Sequence, residues 1–200
     1  MKKILSILWF VFLCSSELVS AQTTAYEEGF VVTKSGDTLY GQVKDRSAEP
    51  FGQLYKKIKL KVEGRWFPKT YRPSDLKAYQ KGNAYFETLW IQEDFEWLKL
   101  TYISREGLGE EVFMKVIVQG KLTYYQWEWR DPDSGYYRYI PLFKKQGDSK
   151  MLRVTQGLFG LRRKALADYL GNETALAQRI LSGEQLTELD IVELYNKKHF

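Results

Sequence analysis

Apolar and polar positions alternate in short runs between residues 29 and about 155, and each run ends at turn-forming residues. Side chains along a strand point to opposite faces in turn, so a two-residue period marks half-buried strands. Residues 30–33 and 38–43 flank Lys34-Ser35-Gly36-Asp37, where glycine accepts a positive φ without steric cost, and this predicts a hairpin. Over 57–63, Ile58, Leu60 and Val62 alternate with Lys57, Lys59 and Lys61, and Gly64 then turns the chain into a run over 65–71. Pro68 puts that run at a sheet edge, because proline has no N–H for the ladder. Residues 76–80, 84–91, 95–104, 112–118, 121–130, 136–143 and 151–155 read as further strands. Connections this short make neighbours antiparallel. Nine or ten strands in one sheet must curl to bury a face. The expected fold is therefore mainly β, a curved antiparallel meander or incomplete barrel.

After Gly157 the period lengthens. Leu158, Leu161, Ala165, Leu166, Tyr169 and Leu170 share one helical face, and Gly171 suits the end of that helix. Asn172 is placed to cap a second short helix containing Leu176 and Ile180. Thr187, with Asp190 three residues on, reads as the cap of a third, and Leu186 and Ile191 sit at staple positions. Helices this short are unstable alone. The expected plan is an antiparallel β domain over 22–156 carrying a helical appendage over 157–200 packed on it.

The first twenty-one residues follow neither period. Lys2 and Lys3 precede an apolar run over 4–14, and Val19-Ser20-Ala21 offers small residues for cleavage, so 1–21 reads as a signal peptide. Its apolar core is too short to span a bilayer. Export to the periplasm, or association with the outer membrane, is the expectation. The single cysteine, Cys14, lies inside this segment, preceded by Leu13 rather than the small residue that lipidation favours. The single histidine, His199, is penultimate. Trimming thus leaves no thiol and no internal imidazole, which removes the side chains behind most nucleophilic and transition-metal chemistry. It also leaves 28 basic and 24 acidic residues. A surplus of four argues against nucleic acid and allows peripheral contact with an anionic envelope surface.

The strand pair Gly29-Phe30-Val31-Val32 and Gly36-Asp37-Thr38-Leu39-Tyr40-Gly41, with Tyr71-Arg72-Pro73-Ser74-Asp75-Leu76-Lys77 and the tail Ile191-Val192-Glu193-Leu194-Tyr195-Asn196, resembles secreted Bacteroidota proteins of unknown function. Those proteins carry an N-terminal G-D-T hairpin, a β-rich body and short C-terminal helices. The resemblance implies an envelope or periplasmic location and supplies no catalytic residues.

Aromatic residues make up 16% of the chain and concentrate between Trp66 and Phe143. Tyr125, Trp127 and Trp129 alternate along one strand, and Tyr137 and Tyr139 follow on the next. These five form a candidate ligand-binding platform for sugar, although large rings more often fill an interior. Glu93, Asp94 and Glu96 cluster beside Phe95 and Trp97, yet paired carboxyls for glycoside hydrolysis need a controlled separation across a cleft. A solvated turn is the plainer reading, and Glu110-Glu111 and Asp131/Asp133 fare no better. Asp131-Pro132-Asp133-Ser134-Gly135 lacks the later glutamate of a calcium loop. Gly107-Leu108-Gly109 is a fragment of a dinucleotide fingerprint and no more. Lys56, Lys57, Lys59 and Lys61, and Arg162-Arg163-Lys164, are basic clusters able to touch lipid A, anionic lipid or an acidic partner. The plainer readings are protection of a strand edge for the first and the solvent face of a helix for the second. Asp37-Thr38-Leu39 resembles the O-glycosylation acceptor of related secreted proteins, with Thr38 the modified residue, while Asp37 equally suits a turn.

These observations favour a non-enzymatic exported module that binds an envelope protein or glycan, or serves a structural role there, with no cofactor and no metal. One alternative is a binder of a small apolar or glycan ligand in an aromatic-lined half-barrel. An acid-base hydrolase is the other. A filled interior favours the first, an open Trp- and Tyr-lined pocket the second, and opposed carboxyls the third.

Overall fold

The computed structural model describes residues 25–45, 57–96, 99–130, 137–155, 160–171 and 174–198. Outside them lie the signal segment, the 131–135 loop, Asn172 and His199. The strands are β1 (Glu27–Thr33), β2 (Thr38–Lys44), β3 (Ile58–Lys61), β4 (Lys69–Tyr71), β5 (Leu76–Lys81), β6 (Ala84–Glu96), β7 (Lys99–Ile103), β8 (Glu110–Val118), β9 (Leu122–Arg130), β10 (Tyr137–Lys145) and β11 (Lys150–Arg153). The helices are α1 (Arg163–Leu170), α2 (Ala175–Leu181) and α3 (Glu188–Lys198). The mainly β fold with short C-terminal helices is thus as the residue pattern predicts.

All strand pairs are antiparallel, in the order β4-β3-β2-β1-β5-β6-β7-β11-β10-β9-β8, and β8 pairs back onto β6 from Tyr85↔Val116 to Ile91↔Glu110. Six strands, β6 to β11, therefore close into a barrel, and five others extend from it as an open sheet. The thirteen-residue β6 joins the two. Its first residues pair with β5 and its last with β7, while β8 takes the stretch between and overlaps the β5 pairing.

Alternation along β6 sorts the side chains into separate cores. Ile91, Tyr102, Met114, Tyr125, Leu142 and Met151, one from each barrel strand, are buried together, with Leu89, Leu100, Val112, Val116, Trp127 and Ile140 around them. Small barrels fill their interior in this way. Phe86 on β6 and Phe113 on β8 instead join Val31, Val43, Ile58, Leu60, Tyr71, Leu76 and Tyr79 in the core of the extension. There Tyr79 stacks on Phe86 with ring centroids 4.5 Å apart and meets Phe113 edge-on at 4.9 Å. The rim of that core holds a buried Lys81–Asp45 pair joined by the more exposed Glu27. Lys81 Nζ lies 3.1 Å from Asp45 Oδ1 and 3.3 Å from Glu27 Oε1, and the Tyr79 hydroxyl donates to Asp45 at 3.1 Å.

The helices cover the outside of the barrel. Leu166, Leu170, Leu176, Ile180, Ile191 and Val192 are buried against Leu122, Tyr124, Phe143, Leu152 and Val154. As predicted, Thr187 caps α3: its hydroxyl accepts from Asp190 N at 3.2 Å, and the Asp190 carboxylate accepts from Thr187 N at 2.8 Å. The Thr187 N–H, and then the Thr187 hydroxyl donating at 2.7 Å, hold the Asp190 carboxyl below the usual range.

Four local expectations need correction. The run over 95–104 is not one strand: β6 continues to Glu96, and Glu96↔Lys99 pairs it with β7 as a hairpin. The strand expected over 65–71 shrinks to Lys69–Tyr71. Leu161 bridges Thr155 in a short β contact, and α1 starts only at Arg163. Thr174 caps α2, its hydroxyl accepting from Ala177 N at 3.1 Å, so the second helix has a cap without Asn172.

Asn196 on α3 latches the appendage to β9. Its Nδ2 donates to Leu122 O at 3.0 Å and its Oδ1 accepts from Leu122 N at 2.9 Å, both buried. Gly120 must be glycine for this fit, since a Cβ there would lie 2.4 Å from Asn196 Nδ2. Asn196→Ala strands both Leu122 groups and should lower unfolding stability by about 2 kcal/mol. Urea denaturation measures it.

Candidate functional site

The aromatic platform does not assemble. Tyr125 is buried and Trp127 half-buried within the barrel interior, where Tyr102 meets Trp127 edge-on at 6.1 Å. Tyr139 goes the other way. The β9–β10 register pairs Ile140 with Trp127 and Tyr139 with Glu128, so Tyr139 faces outward and is 49% exposed. Trp129 and Tyr137 belong to β9 and β10, and their side chains lie outside the described residues. Sequence alternation alone set these rings on one surface. The register across the β9–β10 connection separates Tyr139 from Tyr125 and Trp127.

The acidic groups are equally dispersed. Glu93 and Asp94 are exposed positions on β6 rather than a turn, opposite Tyr102 and Thr101. Glu111 is paired with Lys34 at 2.5 Å, which ties the β1–β2 turn to β8. Among the described residues, no three acidic or histidine side chains converge as a metal-binding group. Gly107 and Gly109 take φ values of 78° and 82° in the turn before β8, and a Cβ on Gly109 would meet Ile91 O at 2.1 Å. That glycine pair is therefore a turn built for close approach to β6.

Thr38 is exposed at the start of β2. Asp37 beside it accepts from the Ser35 hydroxyl at 2.6 Å, which is the turn role anticipated for it. Arg163 departs from the solvent face expected of it: its guanidinium donates to Ile180 O at 3.0 Å and Glu184 O at 2.9 Å, closing the end of α2.

One concavity is not suggested by the residue pattern. A cleft of about 560 Å³ opens at the barrel end where β8 passes into β9 and β10 runs out. Lys121, Lys144, Lys145, Gln119 and Thr123 line it, and Tyr125 is at its wall. The Tyr125 hydroxyl donates to Glu87 Oε2 at 2.8 Å, and Gln119 Nε2 donates to Glu87 Oε1 at 3.4 Å. Burial first, then the Glu87 charge, push the Tyr125 phenol far above its ordinary range. On the outer face, burial similarly pushes Tyr124 up to about 12. Both phenols stay neutral near neutral pH and act as hydrogen-bonding groups. Lys145 Nζ rests over the rings of Tyr169 and Tyr195, at 5.0 and 5.9 Å from their centroids. The cleft is thus polar with a cationic rim, suited to an anionic or hydroxyl-rich group.

No helix among the described residues is long and apolar enough to cross a membrane. The chain matches no family model, no curated protein and no solved structure. What the fold defines is a class: a closed six-stranded antiparallel barrel, side-extended by an open sheet and covered by three helices.

The interior position of Trp127 yields a direct expectation. Trp127→Ala should cost about 3 kcal/mol of stability. Thermal unfolding measures this, and an unchanged midpoint would return Trp127 to the list of surface contacts.

Proposed function

We propose that this chain is an exported, non-enzymatic module that attaches to another component of the cell envelope, a protein or a glycan. The observation that supports it is the filled barrel axis. Six buried side chains, one per strand, occupy the space where a barrel protein ordinarily takes a small molecule. Recognition then falls to the outer surfaces. The twin lysines and apolar run at the N-terminus support the export part of the reading. Fractionation of producing cells with crosslinking before lysis tests it. The expected result is a chain trimmed before Gln22, retained with the envelope and crosslinked there. An untrimmed chain in the cytoplasm, or one released freely, overturns the proposal.

The cleft at the barrel end favours a second reading, a small ligand bound at the mouth rather than inside. Its lysine rim suits an acidic sugar better than an apolar molecule. On this reading Lys144→Glu weakens binding of an acidic oligosaccharide by about tenfold, and titration calorimetry on the purified chain gives the affinity.

A further inference from the structure

Trp66 and Phe67 stand in the loop between β3 and β4, 93% and 84% exposed, and are the most exposed large apolar side chains among the described residues. They are not on a loose segment. Ile58 and Leu60 before them and Tyr71 after them are buried in the core of the extension, so the hairpin is held from below. Two adjacent rings in water on an anchored hairpin are unfavourable for an isolated chain, and they call for an occupant.

Charge identifies its chemistry. Within residues 57–72, Lys57, Lys59, Lys61, Arg65, Lys69 and Arg72 are all exposed, against the single acidic Glu63. That surplus of five exceeds the net surplus of four left after trimming residues 1–21, so the hairpin carries the whole positive excess of the exported chain. Alternation fixes the layout: with Ile58 and Leu60 turned into the core, Lys59 and Lys61 point away from it.

We propose that the β3–β4 hairpin is a membrane-docking tip, with Trp66 and Phe67 entering the interface of an anionic lipid bilayer and the surrounding lysines and arginines lying on its headgroups. Aromatic rings next to basic side chains are the combination that seats a peripheral protein at a bilayer surface, and each nearby Lys or Arg adds attraction to anionic lipid. Pairing with a strand from a second copy is disfavoured, because β4 is three residues long and its edge carries Lys69 next to Pro68. A neutral glycan would leave the charge surplus uncompensated. This inference rests on the envelope reading above and deepens it.

The test uses protein purified from an exporting host and two sets of vesicles, phosphatidylcholine alone and phosphatidylcholine with phosphatidylglycerol. Wild-type protein should co-sediment with the anionic vesicles and be released by salt. Both W66S/F67S and K59E/K61E should lower that partition by about tenfold or more, with circular dichroism confirming an unchanged fold. Acyl-chain-brominated lipid should quench tryptophan emission in wild type and much less in W66F. Equal sedimentation of wild type and W66S/F67S, or binding indifferent to anionic lipid, would overturn the lipid tip. Retention in native envelope without vesicle binding also overturns it and leaves a protein or glycan as the partner. Absence of both removes the envelope reading as well.

Discussion

One strand holds this architecture together. β6 supplies hydrogen-bonding edges to three partners along its thirteen residues and puts alternate side chains into different cores. Phe86 serves the extension and Ile91 the barrel. A one-residue slip of β6 would exchange those faces, drive Phe86 towards a full barrel and place Glu87 in the apolar extension core. The close contact of Gly109 with Ile91 O helps to fix the register. The β8 pairing that closes the barrel depends on that same register.

Closure at six strands has a functional corollary. A barrel this narrow is filled by its own side chains, and Tyr125 and Trp127 of β9 are used for packing rather than display. Two unlike surfaces lie at the margins of the molecule: a polar, lysine-rimmed cleft beside α3 at one end of the barrel, and an aromatic, cationic hairpin at the free edge of the extension. These surfaces suit different chemistry, and the filled barrel between them gives each a rigid mount.

Local pattern carried most of the fold. The two-residue period over Ile58, Leu60 and their lysine neighbours is reproduced as alternating burial, and the Thr187–Asp190 cap is where the residues placed it. Legibility fails where distant segments meet. Nothing local tells β8 to return to β6, or Asn196 to bridge to Leu122 across seventy-four positions. Gln92 to Glu96 lack an apolar face because they lie towards the end of a barrel strand, so a polar strand passed for a turn. Alternation within each strand puts Tyr139 with Trp127, but the offset across the β9–β10 connection, which sets them apart, is not readable locally. Trp66 and Phe67 fall in the run over 65–71 that reads as an edge strand, and only the three-dimensional arrangement shows them in a loop in solvent.

The extension also has mechanical character. Its ladder runs β4-β3-β2-β1-β5-β6, so tension applied at the hairpin passes sideways through successive rows of backbone bonds before it reaches the barrel. The outermost rows are the shortest: β3 meets β4 and β2 through three residue pairs each, whereas β1 meets β2 through six. Rows pulled open in that direction yield one at a time, beginning with the weakest. Within the extension the hairpin is therefore the first part to open under such a load, ahead of the longer β1–β2 row.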